Sequence, residues 1–166
     1  MRFIEEALKR TGLKLVTFHD DILTIDKEWF RKFITLYTER VRRAFVCNLR
    51  AGTFDEEDII LLKKANLQVA WIGLESGNDF IRNGVMKKGI SQEQLHEAFR
   101  LFKKHRVIVY TQNIVGVPFE TPNNFIDTIM LNAKLNPYRS RLSIFFPYPT
   151  TELYDVAEQQ GIIESM

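Results

Sequence analysis

The sequence predicts an α/β protein built on parallel strands, and three observations carry that expectation. Apolar runs of strand length alternate with amphipathic stretches of helix length along the chain. The strand runs are nearly continuous in Val, Ile, Phe and Trp rather than strictly alternating, as suits strands covered on both faces. Polar and glycine-containing clusters follow each run, where parallel architectures place their ligands.

The elements follow in order. Phe3 to Arg10 reads as a short amphipathic helix ended by Gly12, and Lys14 to Phe18 as the first strand. Asp26 is a plausible N-cap for a helix to about Glu39, with Phe30, Phe33, Ile34 and Tyr37 on one stripe. Ala44 to Leu49 is the second strand. Thr53 and Glu56 match a T-x-x-E capping box opening a helix to Lys64, and Asn66 suits a left-handed C-terminal cap. Gln68 to Leu74 is the third strand. A short helical stretch and the corner Met86-Lys87-Lys88-Gly89 come next. Ser91 and Gln94 suggest a capped helix to about Lys104, then Val107 to Val115 a fourth strand. Thr121-Pro122 is an N-cap and first-turn pair for a helix to about Leu135. Leu142 to Phe146 reads as the fifth strand, and Thr151 to Gln160 as the last helix. Doubly wound sheets and barrels share this pattern, and the pattern does not separate them.

Composition narrows the function. The chain has 166 residues, 45% hydrophobic and 27% charged, enough for one domain with a real core and ordinary for a soluble fold. A formal charge of +2 gives no argument for nucleic acid or an anionic membrane as partner. No apolar run approaches the roughly 20 residues of a membrane span, and MRFIEEALKR lacks the apolar core of a signal peptide. A cytoplasmic location is the default expectation. Cys47 is the only cysteine, so neither an internal disulfide nor a cysteine-based metal site can be built from this chain alone. A small buried hydrophobe is the favoured reading of it.

The residues after each strand are the candidate chemistry: His19-Asp20-Asp21, Asn48-Leu49-Arg50, Glu75-Ser76-Gly77, Gln112 and Asn113 with Gly116 to Thr121, and Pro147 to Thr151. They supply carboxylates, amides, a guanidinium, bare backbone and aromatic walls, which suits a zwitterionic ligand bearing ribose and an aromatic base. His19-Asp20-Asp21 reads more readily as a solvated turn than as a metal cluster. His96 and His105 do not match H-E-x-x-H. No G-x-G-x-x-G, G-K-[ST] or G-x-S-x-G occurs, so dinucleotide, P-loop and hydrolase-elbow chemistry have no support.

Six segments in order carry a family resemblance: VTFHDD, CNLR, WIGLESGN, MKKGI, IVGVPFET and FFPYPTTELY. Over about Lys14 to Ile162 the chain resembles the radical S-adenosylmethionine superfamily, and within it the branch often fused to a cobalamin-binding domain. The resemblance implies a partial (βα)6 TIM-like barrel, with S-adenosylmethionine and a [4Fe–4S] cluster as cofactors, and leaves open whether cobalamin is a further one. The parent enzyme, an oxidoreductase or transferase, would cleave S-adenosylmethionine reductively to a 5′-deoxyadenosyl radical that acts on a substrate the sequence does not name. It also implies cofactor contacts. Glu75 and Ser76 would meet the methionine or ribose part, and Lys88 and Arg50 the carboxylate. Asp20 would meet the amino group, Gln112 the ribose, Gly116 the adenine by its backbone, and Phe146 would wall the adenine.

Three positions depart from the family pattern. Phe119 and Thr150 stand where glycine is usual, and Asn66 replaces the glycine after a helix. The family's C-x-x-x-C-x-x-C loop and the strand before it have no counterpart, so the chain is expected to be a fragment, inactive alone. Self-association through the truncated sheet edge is a further expectation. The alternative is a non-catalytic α/β module binding a nucleotide-like ligand or a protein partner.

Overall fold

The computed structural model describes residues 1–163, so the last three residues of the expected 1–166 domain lie outside the described residues. The elements are α1 (Arg2–Thr11), β1 (Leu15–Phe18), α2 (Lys27–Arg40), β2 (Ala44–Leu49), α3 (Glu56–Lys64) and β3 (Leu67–Glu75). A π-helical segment (Phe80–Val85), α4 (Gln92–Lys104), β4 (Ile108–Val115), α5 (Pro122–Leu135), β5 (Arg139–Ile144) and α6 (Glu152–Gln159) follow. The strands lie in sequence order, β1-β2-β3-β4-β5, in one parallel five-stranded sheet. Leu15 to Phe18 pair with Ala44 to Cys47, and a register shift at Phe45/Val46 adjusts β2 to β3.

The residues form two compact units, Met1–Gly73 with Glu93–Tyr110, and Leu74–Gln92 with the described residues from Thr111 onward. In the first unit, β2 is paired on both edges and largely buried, and Phe45, Cys47, Leu49, Ala70 and Ile72 form the interior with Phe30, Ile34 and Tyr37 of α2. Phe18, Tyr37 and Phe45 meet edge-on at 5.3–5.6 Å between ring centres, the arrangement aromatic quadrupoles favour. Burial pushes the Tyr37 hydroxyl up to about 12, and it donates to the Arg43 carbonyl at 3.1 Å.

Helix ends are fixed largely as the sequence predicts. Asp26 accepts from the Trp29 N–H, Thr121 from the Asn124 N–H, and Thr151 from the Tyr154 N–H. Asn66 takes φ +77°. Three expectations are corrected. The cap of α3 is Asp55, not Thr53: Asp55 accepts from the Asp58 N–H, and the Asp58 carboxylate accepts from the Asp55 N–H. Thr53 donates instead to the Arg50 carbonyl and bonds Thr24. The fifth strand begins at Arg139, ahead of the apolar run that marked it, because Asn113 and Thr111 hold Ser140, and Asn113 also donates to the Arg141 carbonyl. Finally, β5 is exposed at every residue and β1 at alternate ones, while β3 and β4 alternate buried with less buried residues; only β2 comes near the expected continuous burial.

Charge ties α2 to α3. Asp58 is buried yet reaches Arg31 Nε at 3.0 Å and Lys27 Nζ at 3.5 Å, and Asp55 receives Lys27 Nζ at 2.6 Å. Hydrogen bonding to these carboxylates raises both cations above their ordinary values. Among the described residues, no helix is long and apolar enough to cross a membrane.

Candidate functional site

In the second unit, β3 ends at Glu75 with φ +66°, a left-handed conformation that costs a non-glycine residue free energy and persists only where the surroundings impose it. The residues just after it impose it. Ser76 is buried, its Oγ 3.3 Å from Thr128 Oγ1 and accepting from the Asn78 N–H. The Gly77 N–H donates to Thr128 Oγ1 at 2.8 Å, and Asn78 Nδ2 donates to Asp127 at 2.8 Å. Residue 77 must be glycine here, since a Cβ would run into the backbone of Asp127 and Thr128. The turn is therefore docked on α5, and Glu75 is left with its side chain turned to Lys88, at 3.3 Å.

Lys88 sits in the corner after the π-helical segment, where its N–H donates to the Arg82 carbonyl at 3.1 Å. Its neighbour Lys87 takes φ +52° and pairs instead with Glu152. The Ile81, Met86 and Val117 cluster, with Phe145 and Leu153 against it, anchors this corner.

Along β4, side chains alternate between faces. Thr111 and Asn113 point into a polar network: Thr111 Oγ1 donates to Asn132 Oδ1 at 2.7 Å and Asn132 Nδ2 to Asn113 Oδ1 at 2.9 Å. Gln112, half-buried, therefore lies on the opposite face. At the strand's end Gly116 has φ +81°, open space where a Cβ would stand, and an N–H that donates to Glu120 Oε2 at 2.6 Å. The other oxygen, Glu120 Oε1, is buried without a protein partner, as is Asn48 Oδ1 in the first unit. Buried acceptors of this kind ordinarily find a donor. Phe146 is exposed, edge-on to Tyr148 at 6.0 Å.

The second unit thus holds Glu75, Ser76, Lys88, Gln112, Gly116 and Phe146, and brings Glu75 to Lys88. Asp20 and Arg50 lie in the first unit. There the Asp20 carbonyl accepts from Asn48 Nδ2 at 3.1 Å, and the Arg50 carbonyl accepts from Thr53. Sequence reasoning collected Glu120 within Gly116 to Thr121 but gave it no role of its own, and it missed Arg82, which nothing in the linear pattern marked.

The donor set decides which groups fit. A [4Fe–4S] cluster needs thiolates, and the one thiol here is buried and pushed up to about 12 by desolvation. No group of three or more His, Cys, Asp and Glu that could hold a metal occurs among the described residues. These residues do not fit the cluster. S-adenosylmethionine is different: an orphaned carboxylate oxygen beside bare backbone and an acid–base pair at a strand end suit hydroxyl, amino and carboxylate groups.

A sequence profile of the Radical SAM superfamily matches residues 1–131. The chain belongs to the radical S-adenosylmethionine superfamily. An uncharacterized methyltransferase of Pyrococcus horikoshii is 26% identical over 156 residues, 93% of this chain and 34% of that protein. A protein of Methanocaldococcus jannaschii provisionally named a methylthiotransferase is 30% identical over 164 residues, 91% of this chain and 35% of that protein. The chain spans about a third of the length of these curated relatives. Among solved structures, the radical S-adenosylmethionine methyltransferase TsrM of Kitasatospora setae, with cobalamin and a [4Fe–4S] cluster bound, superposes with a TM-score of 0.81. That match has 19% identity and covers 93% of this chain and 30% of that one. The likeness gives the fold, a partial TIM-like barrel of parallel strands.

Proposed function

We propose that the strand ends of the second unit bind S-adenosylmethionine, and that the chain is the ligand-orienting part of a radical S-adenosylmethionine enzyme that transfers a methyl or methylthio group. The Glu75–Lys88 pair carries the reading. An ammonium and a carboxylate held together at a strand end can exchange their mutual contact for the carboxylate and hydroxyl or amino groups of one zwitterionic ligand. Gln112 adds an amide for ribose hydroxyls, Gly116 a backbone that a base can approach, and Phe146 an apolar wall. Glu120 offers a second acceptor beside Gly116. Ser76 acts through its bonds to Thr128 and Asn78, holding the turn rather than touching the ligand. Asp20 and Arg50 belong to the other unit, and the proposal is confined to the residues of one.

In a protein that supplies three thiolates, a [4Fe–4S] cluster provides the electron for reductive cleavage of S-adenosylmethionine. This chain's own residues bind and orient the ligand, and alone they are inactive. Cobalamin is a proposed partner cofactor on the strength of the TsrM fold likeness, and no residue here is assigned to it.

Calorimetric titration of S-adenosylmethionine into the chain, at ligand up to millimolar, tests the reading. Saturable binding weakened about tenfold by Glu75→Ala and by Gln112→Ala is expected, the loss of a hydrogen bond to a charged or hydroxyl group. Binding indifferent to both substitutions would refute the site, and preference for ATP over S-adenosylmethionine would favour a nucleotide-binding module without this chemistry.

A further inference from the structure

We propose that Arg82 is the positioning residue of the Glu75–Lys88 pair, and so of the ligand site proposed above, on which this inference rests. Arg82 is fully buried. A buried guanidinium is costly unless its donors are satisfied, and here they are satisfied by main chain on both sides of the pair. Nη1 donates to the Ser76 carbonyl at 2.7 Å, and Nε donates to the Ile90 carbonyl at 2.8 Å. Nη2 donates to the Asp79 carboxylate at 2.8 Å. Ser76 directly follows Glu75, and Ile90 lies just beyond Lys88 and Gly89. One planar, rigid group therefore clamps the two chain segments that carry the acid and the base.

Its neighbours reinforce the clamp. Asn83 Nδ2 also donates to the Ile90 carbonyl at 2.9 Å, and Asn83 Oδ1 accepts from the Ile90 N–H at 3.0 Å. The segment Phe80–Val85 is π-helical, a conformation that recurs beside functional sites. A lysine would keep the charge but not the fork, because an ammonium cannot meet acceptors fixed on separate strands of chain with the geometry a guanidinium has. Apolar packing could stabilise this corner as well as a buried cation does. What apolar packing cannot do is set the distance between two backbone carbonyls, and with it the approach of Lys88 to Glu75.

The test reads Lys88 directly by carbon–proton NMR of its side chain in the full chain. In the wild-type background Glu75→Gln is expected to move the Lys88 resonances. In Arg82→Lys they should already be displaced and should no longer respond to Glu75→Gln. Asp79→Asn, which loosens the guanidinium without removing it, should show a smaller loss of response and covers the case in which Arg82→Lys does not fold. Leu62→Val, a core change in the other unit, should leave the response intact even where it lowers Tm as much. Full Lys88 response in Asp79→Asn, and in Arg82→Lys where that folds, would overturn the proposal. Affinity for S-adenosylmethionine should fall about tenfold in Arg82→Lys, within the coupling found for contacting residues. If the wild-type chain fails to bind S-adenosylmethionine, the ligand reading fails, and the Lys88 resonances still decide whether Arg82 positions the pair.

Discussion

Glu75 and Lys88 close to 3.3 Å from the two ends of one loop, while the adjacent Lys87 turns away to Glu152. The two lysines are thus separable by experiment. Lys88→Met should weaken S-adenosylmethionine binding about tenfold, the scale of a lost charge-assisted contact. Lys87→Met should leave it unchanged and cost less than about 1 kcal/mol in stability, because both partners of that pair are exposed. Parallel titrations and urea melts check this. Equal effects of the two substitutions would count against the assignment of Lys88.

Phe119 and Thr150 hold φ +65° and +71°. Both stand where the family's pattern has glycine, and both keep the conformation that glycine would take. A left-handed residue with a Cβ is penalised by about 1–2 kcal/mol, partly offset because glycine is freer in the unfolded chain. Thr150→Gly and Phe119→Gly should each stabilise the chain by about 0.5–1 kcal/mol, read as a higher urea midpoint at unchanged m. A lower midpoint would mean that these side chains make contacts worth more than the strain.

Cys47 is buried and its thiol is pushed up to about 12 by desolvation. Against an ordinary thiol near 8.5, the thiolate fraction at pH 8 is down by about a thousandfold. Alkylation by iodoacetamide should be slower by orders of magnitude in the native chain than in denaturant. Anaerobic incubation with iron and sulfide should give no site-bound [4Fe–4S] chromophore; its appearance would contradict the reading that these residues do not fit the cluster.

Glu56 accepts from Lys104 Nζ at 2.6 Å and meets His105 Nε2 at 2.7 Å. Those hydrogen bonds hold its carboxyl below the ordinary value. Because the folded value lies below the unfolded one, the contribution is present above the unfolded value, about 4.3, and is lost as pH falls through the folded one. The stability gap between wild type and Glu56→Gln should therefore shrink as pH drops from about 6 to about 3. A gap independent of pH, in urea melts across that range, would show that the pair contributes nothing ionic.

The order of strands and helices was legible because each strand's apolar run is bounded by residues that stop it, such as Asp26, Asn66 and Thr121-Pro122. The start of β5 was not, because Arg139 and Ser140 look like loop, and Asn113 on another strand holds Ser140 and the Arg141 carbonyl. Thr53 and Asp55 compete for one helix start within a few residues, and linear spacing cannot choose between them. Glu75 and Lys88 could be picked out by their segments, but their contact could not. It depends on Arg82 reaching two carbonyls, and backbone acceptors leave no trace in a sequence.

Asn83 precedes Gly84, the dipeptide in which the following backbone nitrogen most easily attacks the amide side chain and releases ammonia. In the folded chain that side chain is fastened to Ile90 and Asp79, and the segment is helical, so the attacking geometry is denied. Chemical ageing at Asn83 then becomes a clock for how often this corner opens. Aspartate and isoaspartate accumulating there in a stored sample would record openings of the segment that carries Arg82.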